Sequence, residues 1–119
     1  MALEVSAERR GELVVITVRG EVDKANGGRL RERVEAELGS RSPRLIFDLA
    51  GMDFIDSSGL RIFIDAAKAA RLRGGDCALC ALAPTPTRIM KLMGLDRFFV
   101  TYPTLDSALA GERANGPAQ

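Results

Sequence analysis

The sequence predicts a single α/β domain, with a central mixed, mostly parallel β-sheet packed with amphipathic α-helices. Short β-rich runs alternate along the chain with segments whose apolar residues recur every three or four positions. Strands that alternate with helices are typical of parallel strands joined by right-handed crossovers. The 119 residues are enough for one domain that buries roughly two-thirds of its unfolded surface.

The first half of the chain is expected to contain three strands and one helix. Residues 13–19 are β-rich, and residues 3–6 are expected to pair with them as an edge strand across a turn at residues 10–12. In residues 25–38, Leu30, Val34 and Leu38 recur at intervals of four, which predicts an amphipathic helix that ends near Gly39. Asp23 is a candidate N-cap for this helix. Residues 44–49 form the next predicted strand. If these strands are parallel, the loop with Asp23 and the loop at residues 56–58 should lie at the same edge of the sheet.

The second half continues the same alternation. A helix is predicted from the serine pair at residues 57 and 58 to about residue 72 or 73, with one apolar stripe; the stripe comprises Leu60, Phe63, Ala67 and Ala70, widened by Ile64. Then follow a strand at 76–82, a helix at 85–93, a strand at 98–100 and a helix at 104–110. In the helix at 85–93, the stripe of Ile89, Met90 and Met93 is expected to be core, although exposed methionines also line adaptable protein-binding surfaces. The domain is expected to end at residue 110, and residues 111–119 are expected to be a disordered tail.

Composition excludes several classes of function. The formal net charge of +1 gives no indication of direct nucleic-acid binding, which usually needs a basic patch. No apolar stretch approaches the roughly 18 residues needed to insert into and span a bilayer. The charged N-terminal residues also lack the apolar run of a signal peptide. A cytoplasmic protein is therefore expected.

The chain contains no histidine, which removes the usual general base and the usual zinc ligand. Cys77 and Cys80 have the C-x-x-C spacing of some metal and redox sites. Since they fall in a predicted strand, their side chains should point to opposite faces of the sheet, as structural residues rather than a shared site. We therefore expect no cofactor and no metal.

The segment at residues 46–60 is the most informative part of the chain. An apolar run ends at Asp56, and Ser57, Ser58 and Gly59 then begin an amphipathic helix. If Ser57 is the N-cap, its hydroxyl is occupied, and Ser58 at the first helical position should be more exposed. A phosphate at a helix N-terminus is compatible with the helix dipole, yet adds nearly two negative charges to the surface.

These residues resemble the STAS domain of the anti-sigma factor antagonist (anti-anti-sigma factor) family. Beside Asp-Ser-Ser-Gly-Leu at 56–60, the resemblance includes Gly-Glu-Val-Asp at 20–23, Gly-Gly at 74–75 and Gly-Leu at 94–95. It covers nearly the whole chain up to the tail. It implies partner switching in sigma-factor control of transcription: the unphosphorylated protein binds an anti-sigma factor that is also a serine kinase, and so frees the sigma factor. Phosphorylation by that kinase releases the antagonist, and a serine phosphatase resets it.

The resemblance also implies a site and a set of partners. By position in the motif, Ser58 is the phosphorylation site, and the partner-binding residues are Asp23, Asp56, Ser57, Ser58 and Gly59. Asp56 is expected to contact the kinase or orient the hydroxyl, and Gly59 to allow a close approach in a tight turn. The protein is expected to be a monomer or a weak dimer.

Two other classes of function remain open from the sequence. The same domain could be a STAS subunit of a larger assembly, such as a stress-signalling complex or a lipid-transport ABC system, but such a scaffold needs no acceptor serine. An enzyme is disfavoured, since histidine, a Gly-x-Ser-x-Gly segment and a phosphate-binding Gly-x4-Gly-Lys-Ser/Thr loop are all missing. Asp-Ser-Ser-Gly before a helix is also ordinary capping chemistry.

Overall fold

A computed structural model describes residues 2–39 and 41–114 of the chain. Within these residues five strands and four helices follow one another. In chain order they are β1 (Glu4–Arg10), β2 (Leu13–Val22), α1 (Gly27–Glu37), β3 (Arg44–Ile55), α2 (Ser57–Leu72), β4 (Asp76–Cys80), α3 (Pro84–Leu92), β5 (Val100–Tyr102) and α4 (Leu105–Ala114).

The strands form one sheet in the order β1-β2-β3-β4-β5. The first pair is an antiparallel hairpin in which Arg10 pairs with Leu13, and the other neighbours are parallel. The mixed, mostly parallel sheet and the edge strand at the N-terminus confirm the predicted fold class. Among the described residues no helix is both long and apolar enough to cross a membrane.

Alternation along the strands divides the core between the two faces of the sheet. One face packs against α1, α2 and α3, and there Phe47 of β3 meets Phe63 of α2 edge-to-face, with ring centroids 4.8 Å apart. The other face packs against α4 through Ala108 and Leu109. Helix α2 buries three residues outside its predicted stripe, Gly59, Ile62 and Ala66. Because its neighbours cover more than one stripe, the buried arc is wider than the sequence pattern suggested.

Strand β3 is longer than predicted and continues to Ile55 instead of ending at Leu49. Ala50 and Gly51 read as a break in the sequence, yet β2 and β3 stay paired through two register shifts. Glycines inside strands often mark such irregularities. Both strands therefore end at the same point, with Val22 paired to Ile55.

The C-terminal part of the fold also departs from the prediction. Strand β5 begins at Val100 instead of residue 98, because Phe98 and Phe99 form an edge-to-face pair that precedes the strand. Helix α4 runs to Ala114, so the predicted tail starts too early: residues 111–114 are helical. Residues 115–119 lie outside the described residues.

A buried polar network explains why α4 continues past Gly111. An Nη2 atom of Arg44 donates to the carbonyl oxygen of Glu112 at 2.7 Å and to its Oε1 at 3.1 Å. The hydroxyl of Tyr102 donates to the other carboxylate oxygen of Glu112 at 2.7 Å. Arg44 and Glu112 are both buried. The network therefore attaches the last turn of α4 to β3 and β5.

Candidate functional site

The carboxyl ends of β2 and β3 bring the two predicted acidic loops together. The backbone N–H of Asp56 donates to the carbonyl oxygen of Val22 at 3.2 Å. The loop that follows β2 contains Asp23, and the turn that follows β3 contains Asp56 and the serine pair. The prediction that both loops lie at one edge of the sheet is confirmed, at the edge where parallel sheets commonly bind ligands and partners.

Both carboxylate oxygens of Asp56 hold the two loops at this edge together. It is the N-cap of α2, since its Oδ1 accepts a hydrogen bond from the backbone N–H of Gly59 at 2.9 Å. Its Oδ2 accepts one from the backbone N–H of Lys24 at 3.2 Å, across the gap between the loops. The prediction that Ser57 is the N-cap is therefore wrong: Asp is at least as good a cap as Ser, and Asp56 stands one position earlier.

Ser57 and Ser58 are the first two residues of α2. Ser57 is exposed and Ser58 is half-buried, which corrects the expectation that Ser58 is the more exposed of the pair. The difference arises because Ser58 lies one position further into the helix. Within residues 2–39 and 41–114 neither hydroxyl forms a hydrogen bond to another protein group. Both hydroxyls are therefore available beside the positive end of the helix dipole.

Asp23 organises the turn before α1 without being its N-cap. Asn26 occupies the N-cap position, which corrects the prediction. The Oδ1 of Asp23 accepts hydrogen bonds from the backbone N–H groups of Ala25 and Asn26, at 2.9 and 3.1 Å. The Oδ2 of Asp23 has no partner among the described residues, so this oxygen can accept a hydrogen bond from another protein.

Asn26 is a site residue that the sequence analysis missed. Its Oδ1 accepts from the backbone N–H of Asp23 at 2.9 Å, and its Nδ2 donates to the carbonyl oxygen of Glu21 at 2.9 Å. The available signal was an Asn directly before Gly27, because Asn is a preferred N-cap residue. The reciprocal bonds between Asp23 and Asn26 make the loop a defined turn.

Gly59 is buried where α2 approaches the ends of both strands. A Cβ atom at this position would lie 2.8 Å from side-chain atoms of both Val22 and Ile55. Real Cβ atoms do not come this close to their neighbours, so Gly59 permits the close approach that the sequence analysis expected. Because Gly59 is buried, it presents little surface to a partner, and its close approach holds the serine pair against the ends of both strands.

An apolar groove of about 250 Å³ lies beside the serine turn, between α2 and α3. Asp56 and Ser57 form part of its wall, which is otherwise mostly apolar. Met90 is buried, but Ile89 and Met93 are 41% and 56% exposed. The prediction that the whole stripe of α3 is core is therefore wrong for these two residues, because only one side of this short helix reaches the sheet.

The two cysteines lie on opposite faces of the sheet, as predicted from strand alternation. Cys77 belongs to the core under α2, and Cys80 to the core under α4. Burial, reinforced by the charge of Asp76, raises the pKa of Cys77 to about 12. Burial and the charge of Asp48 raise the pKa of Cys80 to about 11. Both thiols are thus protonated and unreactive at neutral pH.

Comparison with known proteins places this chain in a family. The model of the STAS domain matches residues 4–108. A protein of Mycobacterium tuberculosis named as an anti-anti-sigma factor is 35% identical over 119 residues, which is 98% of this chain and 80% of that protein. The anti-sigma-F factor antagonist RsfB of the same species is 27% identical and covers 94% of this chain and 91% of its own length.

Solved structures of related proteins lead to the same family. The crystal structure of an anti-sigma factor antagonist from Mycobacterium paratuberculosis matches with a TM-score of 0.85 and 31% identity, covering 94% of this chain and 95% of that one. The unphosphorylated form of SpoIIAA, an anti-sigma factor antagonist, has the same fold, with a TM-score of 0.78 at 22% identity over 95% and 97% of the two chains. The chain belongs to the STAS domain family, in the group whose members are named anti-sigma factor antagonists.

Proposed function

We propose that this protein is an anti-sigma factor antagonist controlled by phosphorylation of Ser58. In its unphosphorylated form it binds an anti-sigma factor that is also a serine kinase, and this frees the sigma factor. The kinase then phosphorylates Ser58 and the complex dissociates. A serine phosphatase restores the binding form.

The observation that carries this proposal is the turn at the start of α2. Ser58 is the second residue of the helix, and its hydroxyl is unbonded and half-buried rather than enclosed in the core. Asp56 fixes the turn by accepting hydrogen bonds from the backbone N–H groups of Gly59 and of Lys24 in the neighbouring loop. The acceptor hydroxyl is therefore presented from a rigid frame, which a kinase needs in order to align it with a phosphate donor.

Exposure alone would favour Ser57 as the acceptor, since Ser57 is the more exposed serine. Position in the Asp-Ser-Ser-Gly-Leu motif supports Ser58. The partial burial of Ser58 is compatible with this choice, because a half-buried side chain has a better defined position than one that projects into solvent. Alanine variants of the two serines separate these assignments.

Electrostatics explain how a phosphate would end binding without unfolding the domain. The added group brings roughly −1.5 to −2 charges to a surface that already contains the carboxylates of Asp23 and Asp56. Unbonded N–H groups of the first helical turn accommodate this charge within the folded protein. A partner that approaches two carboxylates and a phosphate meets repulsion and a larger desolvation cost.

The test is phosphorylation of matched serine variants. The wild-type protein, Ser57→Ala and Ser58→Ala are each incubated with ATP and the purified kinase-type anti-sigma factors of the source organism, and the phosphopeptides are mapped by mass spectrometry. We expect phosphate on Ser58 in the wild type and in Ser57→Ala, and none in Ser58→Ala. Phosphate on Ser57 in the wild type would reverse the assignment, and no phosphorylation with any of the kinases would refute the switch.

A further inference from the structure

The groove between α2 and α3 has features of a binding surface rather than of a packing defect. Besides Asp56 and Ser57, its walls include Leu60 of α2, Ile89 of α3 and Met93, the C-cap residue of α3. Leu60 is 7% exposed and forms the floor, whereas Ile89 and Met93 are much more exposed. A partly exposed apolar rim over an apolar floor is typical of a site that an apolar group can enter.

The size of the groove indicates what it can take. An apolar cavity of about 150 Å³ is sufficient to hold benzene. The groove, at about 250 Å³, can therefore accept one large apolar side chain, such as Leu or Phe, but is small for a cofactor. Methionine in its wall allows the surface to adapt to the shape of the group that enters.

The position of the groove identifies its occupant, provided that the proposed function is correct. A stable complex buries about 800 Å² of each partner, equivalent to a disc of roughly 16 Å radius. A kinase that reaches the serine pair must cover the groove as well, because Ser57 forms part of its wall. A kinase bound at the serine turn would therefore also cover the groove.

The lining of the groove indicates the chemistry of its occupant. Asp56 is its charged residue, at the α2 side, and apart from Ser57 the remaining lining residues are apolar. An apolar side chain of a partner would match this surface.

We propose that the groove receives an apolar side chain of the kinase-type anti-sigma factor, so that the apolar contact and the acceptor serine belong to one interface. The apolar contact supplies affinity that does not depend on phosphorylation. The polar turn beside it then determines whether the complex persists. This places Ile89 and Met93 in the binding surface, although they lie about thirty residues from the motif in the sequence.

The test compares charged substitutions at the groove with one outside it. Unphosphorylated wild type, Ile89→Asp, Met93→Asp and Leu72→Asp are titrated with the purified kinase-type anti-sigma factors by calorimetry. Leu72 is the matched control: it is 88% exposed and lies at the far end of α2, roughly 22 Å from Ser57 along a helix that rises about 1.5 Å per residue. We expect Kd to rise at least about tenfold for the two groove variants and to change less than about twofold for Leu72→Asp.

Ile89→Ala serves as a milder variant that introduces no charge, and circular dichroism checks that each variant folds. Unchanged affinity of all groove variants would overturn the inference, while a loss of affinity in Ser58→Asp would still support the proposed function. If the wild type bound none of the kinases, both proposals would fall. A wild-type dimer that Ile89→Asp disperses in sedimentation, with kinase affinity unchanged, would assign the groove to a second copy instead.

Discussion

At the scale of single residues, the carboxylate of Asp56 does more than the sequence suggested. It was expected to contact a kinase or to orient a hydroxyl, but its two oxygens accept hydrogen bonds from the backbone of Gly59 and Lys24. Asp56 therefore joins two loops, since Lys24 lies thirty-two positions before it in the sequence. The geometry of the serine turn depends on it.

Removing this carboxylate should destabilise the protein more than removing the neighbouring hydroxyl. We expect Asp56→Ala to lower the free energy of unfolding by about 1–2 kcal/mol, the cost of a lost N-cap. Ser57→Ala should change it by less than about 0.5 kcal/mol, as is usual for an exposed position. Urea unfolding measures both. Equal losses in the two variants would show that Asp56 does not act as the cap.

Burial of Cys77 makes a prediction about alkaline pH. Its pKa is raised from 9.0 to about 12 in the folded protein, so the folded state retains a proton that the unfolded state releases. The resulting contribution is complete below pH 9 and is lost as the pH rises toward 12. Cys77→Ala should therefore lose less unfolding free energy than the wild type between about pH 8 and about pH 10.5. An identical loss in both proteins, measured by denaturant unfolding, would count against this.

At the scale of elements, sequence patterns predicted the type and order of every strand and helix that the structure describes. Local hydrophobic period and turn residues determine this order. The predicted ends of two elements were wrong where contacts with residues distant in the sequence determine them. Strand β3 continues past Gly51 because β2 remains paired with it, and α4 continues past Gly111 because Glu112 meets Arg44 and Tyr102.

The candidate functional site was also predicted only in part. The sequence identified the two acidic loops and the serine pair, and the alternation of strands and helices placed them at one edge of the sheet. It could not identify the hydrogen bond from Lys24 to Asp56 or the exposure of Ile89 and Met93. These depend on how the loops and α3 pack in space, which local patterns do not encode.

The buried network at the end of α4 gives a prediction at this scale. Glu112→Ala leaves the guanidinium of Arg44 buried without its carboxylate and removes the acceptor of the Tyr102 hydroxyl. We expect the free energy of unfolding to fall by about 3 kcal/mol or more, the cost of breaking a buried ion pair. Arg113→Ala on the same turn is exposed and should change it by less than about 0.5 kcal/mol. Thermal and urea unfolding compare the pair, and similar stabilities would mean that the network contributes little.

At the scale of the whole molecule, the rigid and the exposed parts of the protein are separate. The ends of β2 and β3 support the serine turn through the close packing of Gly59 against Val22 and Ile55. The turn itself and the rim of the groove remain at the surface. In the switch that we propose, a charge added at the turn would therefore alter binding while the cores stay unchanged.

The most direct test of the proposed switch compares the affinity of the unphosphorylated protein and the Ser58-phosphorylated protein for the same kinase-type anti-sigma factor. Calorimetry gives both dissociation constants, and backbone amide NMR spectra of the two free proteins report their folds. We expect Kd to rise at least about tenfold on phosphorylation, with amide shifts confined to the turns around Asp23 and Ser58. Equal dissociation constants, or a loss of binding accompanied by shifts throughout the sheet, would contradict a switch that acts through surface charge on an intact fold.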